Sequence, residues 1–279
     1  METPMETPIS GPYKNIILER NNETKVATII VNRPEKHNAL DKDTMEGWLA
    51  ALEEIRTDPA IRVVVTKGNG RSFGSGLDLY YLRSYHQTPL TDWERSSLPR
   101  NLADTIRGFP KITIAQVHGY CLGHAFVNMC SHDLAFAASN AQIGMPEIPR
   151  GSFGQMATAN LYHAGISKKR AALIHLTGEF ISGAEADQIG LISRSVEESE
   201  LEAYTVKTAS RIATFHPAAL ASAKIAVEMG AKLPLPDAIK MDQLVGAWQQ
   251  LMVDPVAHVE DYLASQEGGP KSGYRRPDS

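Results

Sequence analysis

Three short segments of this sequence concentrate glycine among polar residues: Gly68-Asn-Gly-Arg-Ser-Phe-Gly-Ser-Gly-Leu-Asp-Leu79, His118-Gly-Tyr-Cys-Leu-Gly-His-Ala-Phe126 and Gly144-Met-Pro-Glu-Ile-Pro-Arg-Gly-Ser-Phe-Gly154. Glycine gathers where a backbone must take unusual dihedral angles or approach a ligand closely. The first two segments each follow an apolar run and precede a helical pattern, a setting in which free N–H groups at a helix start face outward and bind an oxyanion. Two such loops together make a two-donor oxyanion hole, which stabilises negative charge developing on a carbonyl oxygen. Tight turns are the alternative for either loop alone.

Other chemistries fit less well. Gly68, Gly70 and Gly74 do not form the G-x-G-x-x-G of a dinucleotide fold. Ser75 lies in Gly-Ser-Gly and Ser152 in Gly-Ser-Phe-Gly, so neither occupies the G-x-S-x-G elbow of a serine hydrolase. A metal site is the stronger competitor, because His118, Cys121, His124, Cys130 and His132 fall close together and are zinc ligand types. The apolar residues between them predict a buried strand and helix that aim these side chains apart, and neither H-E-x-x-H nor a paired C-x-x-C is present.

The elements that must position these loops follow from hydrophobic period. Val26 to Val31, Ile61 to Val65 and Ile112 to Val117 are apolar runs bounded by turn residues and predict buried strands. Between the first two, Asp41 to Thr57 sets Met45, Trp48, Leu49, Leu52 and Ile55 at helical spacing and predicts an amphipathic crossover helix. Strands with helices between them predict α/β architecture, with the topology left open. The polar stretch Tyr85 to Pro99 reads as a variable loop over a site, followed by a helix at 100 to 108. Beyond His216-Pro217 strand signals stop, and 218 to 265 is helical in pattern, interrupted at Leu233-Pro-Leu-Pro236 and Asp254-Pro255. The domain reading is therefore a tail at 1–10, a core with the site at 11–216, and a helical region with its own tail at 217–279.

Composition bounds the partners. With 43% hydrophobic and 22% charged residues the chain reads as a soluble globular protein, and a net charge of −4 argues against nucleic acid as the main partner while leaving room for a local basic patch. No stretch approaches the ~18 apolar residues of a membrane span. Met1 to Pro8 repeats Met-Glu-Thr-Pro and carries no targeting pattern. Two cysteines cannot supply a disulfide framework, which predicts a cytoplasmic protein with reduced thiols.

Order and spacing of these segments resemble the crotonase superfamily, also called the enoyl-CoA hydratase/isomerase family, from about Val26 to the C-terminal tail. Asn32-Arg-Pro-Glu-Lys-His-Asn-Ala-Leu40 resembles that family's N-R-P-x-x-x-N-A-L signature, and Phe73-Gly-Ser-Gly-Leu-Asp-Leu79 its F-x-x-G-x-D-L loop. Gly178 to Leu191 resembles its G-x-x-x-x-A-x-x-A-x-x-x-G-L-V segment. The resemblance implies a spiral of ββα units with a helical C-terminal region that assembles a homotrimer or homohexamer. It implies an acyl-CoA substrate, with coenzyme A carried as part of that substrate, no separate cofactor and no resident metal.

By position, the resemblance makes the backbone N–H groups of Leu77 and His124 the oxyanion donors and Glu147 the proton-moving group. It places Lys36, Ala39, Gly74, Ser75, Gly76, Asp78, Leu79 and Gly123 at the substrate and CoA site. Asp78 also reads as a structural acceptor of loop N–H bonds, and Lys36 as solvated surface charge. The His124 ring has two readings, filler or acid/base near neutral pH. Hydratases of the family use two glutamates, and here the first falls on Val127, while the glycine-rich stretch after the second reads Gly154-Gln-Met-Ala-Thr-Ala159. A single carboxylate suits shuttling one proton between two carbons, which favours double-bond isomerisation through a thioester enolate. Hydration, decarboxylation or C–C hydrolysis, and an acyl-CoA-binding homologue without catalysis, stand as alternatives.

Overall fold

A computed structural model describes residues 13–84 and 97–252. The expected N-terminal tail, most of the expected loop from Tyr85 and the C-terminal tail lie outside the described residues. These residues fall into two compact units, divided in sequence between Phe215 and His216.

The first unit is built on a six-stranded sheet in the order β1 (Ile16–Asn21), β2 (Val26–Val31), β3 (Val63–Gly68), β4 (Ile112–Val117), β6 (Leu134–Ala138) and β9 (Arg194–Val196). Only the β1–β2 pair is antiparallel. Parallel neighbours need crossovers, and helices supply them. The main ones are α1 (Lys42–Thr57), α2 (Leu79–Arg83) and α3 (Ser97–Arg107), with α4 (His124–Ser131) after β4. A second, three-stranded sheet pairs β5 (Tyr120–Leu122), β7 (Gln142–Gly144) and β8 (Ile181–Ser182). Isolated parallel bridges Leu40–Leu77 and Gly74–Cys121 continue it toward the N-terminal end. Each turn of the chain thus lays a long strand in the large sheet and a short one in the small sheet before entering a helix. This is the coil of ββα units that the resemblance implied.

Alternation across the large sheet divides the core in two. Val64 joins Ile29, Val31 and the buried face of α1, where Met45, Trp48, Leu52 and Ile55 meet Leu102 and Ile106 of α3. Val63 and Val65 point the other way, to Ile114, Phe126, Val127 and Phe136, which also meet Leu201 and Ala209 of α8 (Glu198–Ala213). Each such side chain contributes about 1.5–3 kcal/mol by leaving water. Asp41 starts α1 by accepting the Thr44 N–H at 2.9 Å, a cap worth ~1 kcal/mol.

Two boundaries differ from expectation. The strand expected from Ile61 begins at Val63, because the Ile61 N–H is drawn back to the Asp58 carbonyl in the turn after α1. The helix expected at 100 begins at Ser97, so Pro99 sits in its first turn, where proline's missing N–H costs little. The helical pattern from 218 is present as α9 (Pro217–Gly230) and α10 (Leu235–Met252), which pack on each other in the second unit and are parted near the expected Leu233-Pro-Leu-Pro236 break; the pattern from 253 to 265 lies outside the described residues. After α4, the first unit also contains α5 (Ala157–His163), α6 (Lys168–Thr177) and α7 (Gly183–Gln188). No helix among the described residues is long and apolar enough to cross a membrane.

Candidate active site

The three glycine segments and the Asn32 to Leu40 stretch are laced together by backbone hydrogen bonds. Leu40 N–H donates to the Gly76 carbonyl at 2.8 Å and Asp78 N–H to the Leu40 carbonyl at 2.9 Å. Gly74 N–H donates to the Tyr120 carbonyl at 2.8 Å, and Leu122 N–H returns to Gly74 at 2.9 Å. Asn38, fully buried and left-handed at φ 55°, brackets the first loop: its amide donates to the carbonyls of Asn69 and Ser72, and its oxygen accepts Arg33 N–H. Asparagine tolerates that backbone region better than most residues.

This lacing puts the two proposed donors side by side. A Cβ on Gly76, whose φ is +97°, would lie 3.4 Å from the His124 nitrogen. Among the described residues neither the Leu77 N–H nor the His124 N–H has a protein acceptor. His124 is the first residue of α4, so its N–H is one of the free donors at a helix start, with Gly123 before it at φ +56°.

Glu147 faces that helix start. A Cβ on Gly123 would lie 2.7 Å from Glu147 Oε1, and one on Gly154 would lie 3.3 Å from Oε2. The carboxylate is therefore held between two bare backbones, in a slot that side chains would fill. Among the described residues Oε2 is buried with no hydrogen-bond partner. Burial raises the carboxyl above the ordinary glutamate range, partly offset by its own backbone N–H and by Arg150. A carboxylate whose pKa is raised in this way is a stronger base than an ordinary glutamate.

The remaining residues take distinct places. Asp78 is 7% exposed and accepts Tyr80 N–H and Tyr81 N–H on Oδ1 while Arg33 donates to Oδ2 at 3.1 Å. Its oxygens thus hold the start of α2 and the Asn32 to Leu40 stretch. Arg33 also donates to the Ala39 carbonyl and pairs with Asp41 at 3.3 Å. Gly74, Gly76, Ala39 and Gly123 are buried, and Ser75 donates its N–H to the His37 carbonyl. Lys36 and Leu79 are exposed; the Lys36 ammonium stands 5.9 Å from the centre of the Tyr80 ring.

The His124 ring is not available as an acid or base near neutrality. It is 9% exposed, its Nε2 lies 3.0 Å from the Pro99 carbonyl, and burial lowers its pKa to about 4. Because a carbonyl only accepts, Nε2 carries the proton and the neutral ring ties α4 to α3. The folded-state pKa lies below the ordinary 6.5, so this stability is complete above that value and is lost as pH falls toward 4. At about 1.36 kcal/mol per unit the loss amounts to roughly 3 kcal/mol. Urea unfolding at pH 7 and pH 4.5 should therefore show a shallower decline for His124→Gln than for the parent; equal declines would contradict this account.

Val127 is fully buried in the apolar core and adds no titrating group to the slot. The would-be zinc ligands disperse. His118 contacts the Gly70 carbonyl, His132 contacts the Asn128 carbonyl and Thr66, and Cys121 is buried against Met129. Among the described residues no three His, Cys, Asp or Glu side chains gather as a metal would require. Two contributors escaped the sequence reading. Arg33 was visible only as part of a motif, although an arginine three residues before the acceptor-rich Lys36 to Ala39 turn is a signal. Met156, left-handed at φ +72° beyond Gly154, gives no signal at all.

The family model described as enoyl-CoA hydratase/isomerase matches residues 21–250. A crotonyl-CoA hydratase of Syntrophomonas wolfei subsp. wolfei is 31% identical over 235 residues, covering 82% of this chain and 87% of that one. A hydroxycinnamoyl-CoA hydratase-lyase of Pseudomonas fluorescens is 30% identical, covering 77% and 78%. Among solved structures, an enoyl-CoA hydratase of Mycobacterium smegmatis superposes with TM-score 0.84 at 25% identity over 90% of this chain and 97% of that one. With the coil, the laced loops and this extent of similarity together, the chain belongs to the enoyl-CoA hydratase/isomerase family.

Proposed function

We propose that this protein binds an acyl-CoA thioester, stabilises its enolate with the Leu77 and His124 N–H groups, and moves one proton with Glu147, isomerising a 3-enoyl thioester to the 2-enoyl form. The observation that carries the proposal is the Glu147 slot beside the His124 N–H, which has no acceptor among the described residues. Glu147 as carboxylate removes a proton from Cα, and the electron pair delocalises over the dienolate onto the thioester oxygen. Fixed N–H dipoles stabilise that charge more than they stabilise the ground state. Protonated Glu147 then returns the proton to Cγ, moving the double bond and leaving both enzyme and atom count unchanged. Val127 in place of a second carboxylate favours this one-proton cycle over addition of water.

Hydration is the second reading, favoured by the names of the relatives. One experiment separates them: proton NMR of the purified protein with 3-enoyl-CoA and 2-enoyl-CoA of matched chain length, preceded by calorimetry with acetyl-CoA. Faster formation of 2-enoyl product than of 3-hydroxyacyl product supports isomerisation. The reverse order installs hydration, and no heat of binding with any thioester sinks both.

Assembly as a trimer or a pair of trimers is part of the same proposal, supported by Val227 of α9 and Leu244, Trp248 and Leu251 of α10, all exposed apolar side chains. A cytoplasmic setting is supported by free Cys121 and Cys130, the latter pushed up to about 12 by burial.

A further inference from the structure

Met156 takes φ +72°, a left-handed backbone uncommon for a residue other than glycine, asparagine or aspartate. Its carbonyl receives two hydrogen bonds from one residue: Asn160 N–H at 3.1 Å and the Asn160 side-chain amide at 2.9 Å. Asn160 is 8% exposed, and its oxygen accepts Arg107 at 2.9 Å. The same Arg107 nitrogen donates to Ser131 Oγ at 3.1 Å, and Ser131 in turn donates to the Val127 carbonyl at 2.9 Å. Asp104 fixes the other guanidinium nitrogen at 2.8 Å.

A continuous chain of polar contacts therefore joins two parts of the site that are distant in sequence. At one end is α4, which begins at the His124 N–H. At the other is the turn Gly154 to Met156, whose first residue walls one side of the Glu147 carboxylate. We propose that Asn160 and Arg107 are positioning residues, which hold Met156 left-handed and so fix the Gly154 wall and Glu147 at a set distance from the oxyanion donors. The inference rests on Glu147 being the proton-moving group.

Asn160→Ala removes the amide clamp and lets residue 156 relax to an ordinary backbone. The wall then withdraws, water reaches Glu147, and its carboxyl titrates closer to an ordinary glutamate; Arg150 is the charged neighbour common to both states. A misplacement of this kind is expected to lower kcat by about tenfold or more, with KM little changed because no CoA contact is lost. Met156→Gly in the same background should recover much of both kcat and titration, since glycine takes φ +72° at no steric cost. A role in stability alone would move the melting temperature without that recovery.

Two readouts are needed, and the first does not use activity. Infrared titration of the carboxyl band that disappears in Glu147→Gln follows Glu147 directly in the parent, in Asn160→Ala and in the double variant; enoyl-CoA turnover is the second. Asn160→Asp, which keeps the acceptor for Arg107 but loses the donor to Met156, serves if the alanine variant does not fold. A folded single variant whose Glu147 titrates as in the parent overturns the proposal, as does a double variant that recovers nothing. Failure of both single variants to fold, unrelieved by Met156→Gly, assigns Asn160 to folding alone and also overturns it. A parent protein with no turnover on any enoyl-CoA removes the isomerase reading, while the infrared result still decides this one.

Discussion

Glu147→Gln is expected to lower turnover by ~10²–10⁴-fold, the range typical of losing general acid–base catalysis, with acyl-CoA affinity retained. The substitution is isosteric, so the slot between Gly123 and Gly154 keeps its shape while losing the ability to accept a proton. Among the described residues no other titrating group is positioned to take over. Val127 is apolar, Asp78 has its oxygens engaged by Arg33 and the start of α2, and His124 is a neutral ring bound to Pro99. Stability should move in the opposite direction. Because burial raises the folded-state pKa of Glu147, its contribution is fully present below the ordinary value of 4.5 and is lost as pH rises through the raised one. The variant should therefore melt higher than the parent at pH 8 and not at pH 4. Full turnover by a folded Glu147→Gln protein would make the carboxylate structural.

Where the sequence was legible, the reason lies in how the elements are buried. Val26–Val31 and Ile112–Val117 are largely buried on both faces, so they read as mainly apolar, β-rich runs and stood out. β3 was displaced because its second half, Thr66-Lys67-Gly68, is polar for tertiary reasons: Thr66 meets His132, and Lys67 pairs with Glu202 of α8. Neither contact is foreseeable from local composition. The small sheet was not legible at all, since strands of two or three residues such as Ile181–Ser182 are shorter than any usable period.

The site was legible as composition rather than as geometry. Glycines at 74, 76 and 123 announced close backbone approach, and the residues approaching are now named: Leu40, Tyr120, the start of α4 and Glu147. What the sequence left open was the partner of each polar group. The His124 ring had two possible duties until the Pro99 carbonyl was found against it, because that contact is set by how α3 packs on α4. Met156 has a left-handed backbone where composition predicts none, with its carbonyl held by the Asn160 amide.

His124→Pro is expected to cost ~10²–10³-fold in kcat, the range seen when one oxyanion donor is removed. Proline is accepted at the first position of a helix, where its absent N–H would bond nothing within the helix and its fixed φ suits the first turn. The substitution therefore deletes the proposed donor without breaking α4. It also deletes the imidazole and its contact with Pro99, so His124→Ala is the necessary companion: it removes the same ring and keeps the N–H. If the ring only ties α4 to α3, alanine should lower the melting temperature and leave most of kcat, whereas proline should lower kcat far more at a similar melting temperature. Equal losses of kcat in the two variants would move the catalytic role from the backbone to the side chain, against the neutral, carbonyl-bound ring found here. Retention of kcat by the proline variant would leave Leu77 as sole donor and end the two-donor account of enolate stabilisation.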